Sequence, residues 1–171
     1  MVTVDGVHAR TREFYHELMS KNPKLYSHKF NQAGLTYEIA LSVYEDQCVH
    51  INGPFYASVH DKKVFEDDRL DENGNPMGLK YKIPEGHLVI GDKGYRGCKN
   101  LSCSNSHDTP EVRKMKGRAR ARQEAFNKRI KTFQCLDTRF RHAGKKHHLC
   151  FEAVVVICQY QLENGSPLFD V

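Results

Sequence analysis

The sequence predicts one α/β domain built on a mixed sheet flanked by helices. Three observations carry that expectation. Short runs of β-branched residues stop at acids, in Val2–Val4 before Asp5 and in His87–Ile90 before Asp92. Leu35, Tyr37, Ile39, Leu41 and Val43 alternate with the period of a strand. A long stretch from Glu111 repeats its apolar residues at helical spacing. With 171 residues the chain is long enough for one domain with a real core and too short for two of ordinary size.

Taken in order, Val2 to Val4 reads as a strand ending at Asp5 and Gly6. A site strand that begins at residue 2 leaves no room for upstream elements, so an N-terminally truncated domain is expected, without its own DNA-recognition part. Leu25 to Phe30 and Leu35 to Tyr44, joined by Asn31–Gly34, read as a β-hairpin. A further strand, Cys48 to Ile51, ends at Asn52-Gly53-Pro54. Asp61 stands before Val64, Phe65 and Leu70 as the N-cap of a short helix. Asp71 to Gly78 is a surface loop rich in turn formers. His87 to Ile90 forms the next strand, and a weak one lies near Leu101. Beyond Asp92, Gly94 is expected to permit an unusual backbone angle while Tyr95 packs beneath the turn.

From Glu111 to about Phe140 one long helix is predicted, with Ala119, Phe126, Ile130 and Phe133 on its apolar face. Arg120, Glu124, Asn127 and Lys131 form the neighbouring polar stripe. His148 to Asn164 mixes strand and helix signals, and its length before Gly165 and Pro167 favours a helix. His142, His147 and His148 read as packing or helix-end residues.

Composition narrows the function. The net charge of +5 conceals an asymmetry: residues 111 to 146 hold 13 Lys/Arg against three acids. A basic strip on an otherwise acidic body is the footprint of binding to a nucleic-acid backbone, with Arg118, Arg120, Arg122, Lys128 and Lys131 as the candidate contacts. No apolar run approaches the roughly 18 residues of a membrane span, and the N-terminus lacks signal-peptide layout, so a soluble intracellular protein is expected. Six cysteines without a C-x-x-C pair suggest reduced thiols; Cys98, Cys103 and His107 have irregular spacing for zinc. Asp5, Asp92 and Glu124 offer hard oxygen ligands suited to Mg2+ or Mn2+, and are expected to converge on a shared point. The alternative for each acid alone is a strand end, or a surface ion pair of Glu124 with Arg120 or Lys128.

The blocks VDGVHAR, YSHKFNQAGLTYEIALSV, INGPFYASVHDKKVF, VIGDKGYRG, RARARQEAFNKRIKTF and FRHAGKKHH through ICQYQLENGSPLF follow one another along nearly the whole chain. In that order they resemble the DDE superfamily endonuclease domain of Harbinger-type transposases. The resemblance implies a ribonuclease H-like fold and metal-dependent DNA cleavage and joining. It also implies a site in which Asp5 bridges two divalent ions, Asp92 holds one and Glu124 the other. It further implies an acid of secondary importance at Asp61, DNA as substrate, a Myb-like accessory DNA-binding partner, and a nuclear location or otherwise a cytoplasmic one. A transposase-derived module or truncated fragment without cleavage activity is the competing expectation. Pairing of the chain with itself through an uncovered sheet edge or apolar face is a third.

Overall fold

The computed structural model describes residues 1–12, 23–28 and 31–171. Its frame is a six-stranded mixed sheet in the order β2-β3-β1-β5-β6, with β4 also on β3. The strands are β1 (Val2–Arg10), β2 (Tyr26–Ser27), β3 (Gln32–Ser42), β4 (Cys48–Tyr56), β5 (Val89–Ile90) and β6 (Leu101–Ser102). Four helices follow or interrupt them: α1 (Asp61–Phe65), α2 (Pro110–Lys131), α3 (Gln134–Asp137) and α4 (Gly144–Glu163). This mixed α/β layering is consistent with a ribonuclease H-like fold.

The strand β1 outruns the expectation that it stops at Asp5. It pairs antiparallel with β3 from Val2↔Ser42 to Arg10↔Gly34, because β3 supplies ladder partners along its whole length. The predicted hairpin is present where described: Tyr26 and Ser27 pair with Ala33 and Gln32. Its expected end at Phe30 lies outside the described residues. β3 is buried on both faces, as the second strand of β1 on one edge and of β4 on the other. Its odd positions Leu35, Tyr37, Ile39 and Leu41 join Val7, Phe126, Ile130, Phe151 and Val154 in the main core under α2, α3 and α4. Its even-numbered neighbour Ala40 joins Val4, Phe65, Val89 and Tyr95 in a second core on the opposite face.

The helix from Glu111 is shorter than predicted. Thr109 caps it, its hydroxyl accepting from the Val112 N–H at 3.3 Å with Pro110 in the first position. It stops at Thr132, whose hydroxyl donates back to the Arg129 carbonyl at 2.7 Å, and Phe133 turns extended to start α3. Phe140 then leaves helix altogether. Its N–H donates to the Arg10 carbonyl and its carbonyl accepts from Arg12, a parallel bridge that prolongs the β1 edge. The final segment is the helix α4, as its length suggests. His147, fully buried, shares a 2.8 Å hydrogen bond through Nδ1 with the Tyr37 hydroxyl, so it serves packing as expected; burial lowers its pKa to about 4. No helix among the described residues is long and apolar enough to cross a membrane.

Phe126 has no exposed surface and joins α2 to the sheet. Phe126→Ala is therefore expected to lower unfolding free energy by about 3 kcal/mol or more, measured by urea denaturation followed through far-UV circular dichroism.

Candidate active site

Two of the three predicted acids are brought together by strand register. β5 runs parallel to β1, and their last pair is Thr3↔Ile90. Asp5 and Asp92 each stand two residues beyond that pair, Asp5 within β1 and Asp92 just past the end of its parallel neighbour β5. Asp5 therefore lies in mid-strand, at the point where its parallel neighbour ends, rather than at a strand tip. Asp92 has left the ladder and caps a short 3-10 turn (Lys93–Tyr95), its Oδ1 accepting from Gly94 N–H at 2.7 Å.

α2 lies across this point and contributes the third acid. Asp5, Asp92, Glu124 and Arg120 line one cleft of about 190 Å³ with the buried Thr3 and Gln123. That is below the roughly 300 Å³ of sites that enclose whole small ligands, and suits ions or a phosphate group reached from outside. A chain of hydrogen bonds joins strand and helix. Thr3 Oγ1 donates to Gln123 Oε1 at 2.7 Å, Gln123 Nε2 donates to Asn127 Oδ1 at 3.3 Å, and Asn127 Nδ2 donates to Asp5 Oδ2 at 2.8 Å. The other oxygen of Asp5 accepts from Gly6 N–H at 2.9 Å. Asn127 is thus the orienting partner of Asp5, a role the sequence signalled only by its place one turn after Glu124 on the same stripe.

Asp61 does not cap α1. His60 does so, its Nδ1 accepting from the Lys62 N–H at 3.3 Å, and Asp61 is the first helical residue. Its carboxylate instead lies between two glycines. A Cβ on Gly94 would sit 2.5 Å from Asp61 Oδ2 and 2.9 Å from Asp92 Oδ1, and one on Gly6 would sit 3.1 Å from Asp61 Oδ1. Gly94 is therefore required for space and not for the unusual backbone angle expected of it. Asp61 and Asp5 also line a second hollow together with His8, His28 and His60.

Beneath these acids is a buried polar pair that the sequence did not announce. Glu38, fully buried, stands opposite Gly6 in the β1–β3 ladder. The Tyr95 hydroxyl is close enough to favour its charged form, yet neither group completes a hydrogen bond of regular geometry. Burial, then the negative charge of Asp61, raises Glu38 to about 8. His50 Nε2 lies 3.7 Å away, but burial lowers that imidazole to about 4, so at neutral pH the two are largely uncharged neighbours and not an ion pair. Tyr95 packs edge-on against Phe65 as expected beneath the turn. Its hydroxyl is held protonated by burial first, then by Glu38, Asp61, Asp5 and Asp92.

The five basic candidates divide. Arg120 lines the acid cleft, and Lys128 and Lys131 line the adjoining groove with Asp5, Glu124 and Asn127. Arg118 is exposed but bonds the Asp170 carbonyl and lies over the Phe169 ring. Arg122 departs from the expectation of a DNA contact. It is buried, and its guanidinium serves the Ser42 and Glu45 carbonyls and the Asp46 carboxylate. Its place three residues after Ala119 and four before Phe126, at the edge of the core face, was the available signal.

The donor set at the cleft is carboxylate oxygen, the chemistry that fits hard divalent cations. The acids do not form a closed cage, however: among the described residues no three His, Cys, Asp or Glu side chains are grouped to hold a metal ion. Hydrogen bonds from Asn127, Gly6 and Gly94 fix Asp5 and Asp92, while Glu124 is exposed on the helix opposite them.

The fold and this cleft define a mixed α/β domain with acids from two parallel strands and a helix facing a basic groove. A family profile described as DDE superfamily endonuclease matches residues 4–159, a span that contains Asp5, Asp92 and Glu124. The chain belongs to that endonuclease family. No curated protein and no solved structure matches it significantly.

The raised pKa of Glu38 has a thermodynamic sign. An acid at about 8 when folded, against an ordinary 4.5, favours the folded state fully below about 4.5, and that advantage is lost as pH rises toward 8. Glu38→Gln is expected to remove this decline. Melting temperatures of both proteins from pH 5 to 8 measure it, with the difference between them widening in favour of the variant at the alkaline end.

Proposed function

We propose that this chain is the catalytic domain of a Harbinger-type transposase that cuts and joins DNA phosphodiester bonds, with Asp5, Asp92 and Glu124 holding two divalent cations, Mg2+ or Mn2+. The observation that carries the reading is the single cleft shared by these acids and Arg120. Membership of the DDE endonuclease family supports the reaction class. That subtype also implies a nuclear location and a separate Myb-like protein for end recognition.

When bound, the cations would neutralise charge on the attacking and leaving oxygens of an in-line displacement at phosphorus. The chain's own residues supply the rest. Asn127 fixes the plane of the Asp5 carboxylate through Oδ2. Gly94 leaves the space in which Asp61 and Asp92 lie side by side. Arg120, Lys128 and Lys131 present positive charge along the groove that continues from the acids, where a DNA backbone is held against them. Glu38 and Tyr95 remain protonated beneath, so they add no further negative charge at neutral pH.

A second reading, a DNA-binding module without cleavage, draws on the open arrangement of the acids. One assay separates the two. Nicking of supercoiled plasmid in Mg2+ is expected from the chain and is expected to fall to background in Asp92→Ala and Glu124→Gln. Equal nicking by the chain and Asp92→Ala removes the assignment of the acids, and DNA binding without nicking by any of them selects the second reading. Asn127→Ala is expected to reduce the nicking rate by about 10- to 100-fold with little change in DNA affinity.

Binding itself has a salt signature. Three phosphate contacts from Arg120, Lys128 and Lys131 give a slope of log affinity against log salt of about −2.7. Lys128→Ala is expected to flatten that slope by about 0.9, read from fluorescence anisotropy of labelled duplex across a salt series.

A further inference from the structure

The outer face of α4 is apolar where a surface helix should be polar. His147, Phe151, Val154, Val155, Cys158 and Leu162 are buried and form its inner face. At 100° per residue the diametrically opposite strip is Leu149, Ala153, Val156 and Tyr160, flanked by Ile157. These large side chains stand in water: Leu149 is 64% exposed, Val156 66%, Tyr160 64% and Ile157 44%. No described segment packs over them. A helix apolar on two opposite sides is built to be covered on both.

The charges at its ends say by what. The first turn carries Lys145 and Lys146 with no acid, and the last turn carries Glu163 with no base. Both sets oppose the helix's own dipole, which favours acids at the N-terminus and bases at the C-terminus. Their placement costs α4 locally and becomes favourable only against a helix running the other way. A second copy of α4 is such a helix. With Leu149 set against Tyr160, Ala153 falls against Val156, and Lys145, on the same edge of the strip as Glu163, comes within one residue of its level. A parallel pair would instead place lysine on lysine.

We propose that two copies of this chain associate through α4, antiparallel about a two-fold axis between Ala153 and Val156. Ala153 near the axis lets the backbones approach. Leu149 and Tyr160 of the partner subunit close each end of the apolar strip, and Lys145 with Glu163 of the partner subunit forms two symmetric pairs. The interface is isologous, so it closes at two copies. A single helix pair lies at the small end of specific interfaces, below about 1,200 Å² of buried surface, so the association is expected in the micromolar range. The strip shares no residue with the acid cleft or the adjoining groove, so pairing leaves both open.

Analytical ultracentrifugation of the whole chain, from low micromolar to several hundred micromolar, tests this. The expected result is a monomer–dimer equilibrium. Val156→Asp, with unchanged circular dichroism because the site is exposed, is expected to abolish it. Lys145→Glu is expected to weaken it by about tenfold, since two surface pairs are lost per dimer, and the exchange Lys145→Glu with Glu163→Lys to restore it. A chain that stays monomeric throughout overturns the proposal. So does a dimer unaffected by Val156→Asp, and an exchanged variant that fails to recover shows that the antiparallel register is wrong.

Discussion

The site depends on a parallel ladder only two pairs long, Val2↔Val89 and Thr3↔Ile90. β5 stops at Ile90, so β1 passes beyond the end of its neighbour one alternation before Asp5. The side chain of Asp5 follows that of Thr3 on the face covered by α2, and the chain leaving β5 turns at Asp92 beside it. A register slip of one residue would turn Asp5 toward Phe65 and the opposite core. The antiparallel ladder with β3, unbroken from Val2 to Arg10, is what makes such a slip costly.

Burial of β3 on both faces has an electrostatic consequence for the site. Glu38 belongs to the face that packs against α1 and the turn after Asp92, and there it has no water to stabilise a charge. Its protonation keeps one more negative charge from a region where Asp5, Asp61 and Asp92 already bear on Tyr95. The opposite face of the sheet behind these acids is thus polar but nearly neutral, while the cleft itself has Asp5 and Asp92 on the strand side and Glu124 and Arg120 on the helix side. Under the proposed function a phosphodiester lies between these carboxylates and the cationic side chains of α2.

Much of the fold was legible because alternation and helical spacing are local properties. The alternating run of β3, the helical core face of Ala119, Phe126 and Ile130, and the helical nature of α4 each follow from a dozen neighbouring residues. Element ends were less legible, since they are decided by partners distant in the chain: β3 extends β1, and the edge of β1 draws Phe140 out of a helix. The three acids were proposed from the apolar runs before Asp5 and Asp92, the helical stripe of Glu124 and the family blocks. Asp61 was read first as a helix cap, and the roles of Asn127 and Glu38 were not placed, because they rest on distances across the sheet that no local pattern encodes.

The basic strip shows how charge count and charge function separate on one helix. Arg118 and Arg122 each stand two residues from Arg120, hence about 200° from it in rotation, and cannot share its surface. Arg122 falls at the core edge and ties α2 to the end of β3 and the following turn through Ser42, Glu45 and Asp46. Lys116, six residues earlier, is likewise buried and paired with Asp108 at 2.9 Å. Their positive charges hold the helix at the angle from which Arg120 reaches the cleft and Lys128 and Lys131 the groove. The charge of the strip therefore exceeds its groove-lining residues: Arg120, Lys128 and Lys131 line the cleft and groove, while Lys116 and Arg122 tie the helix to its surroundings.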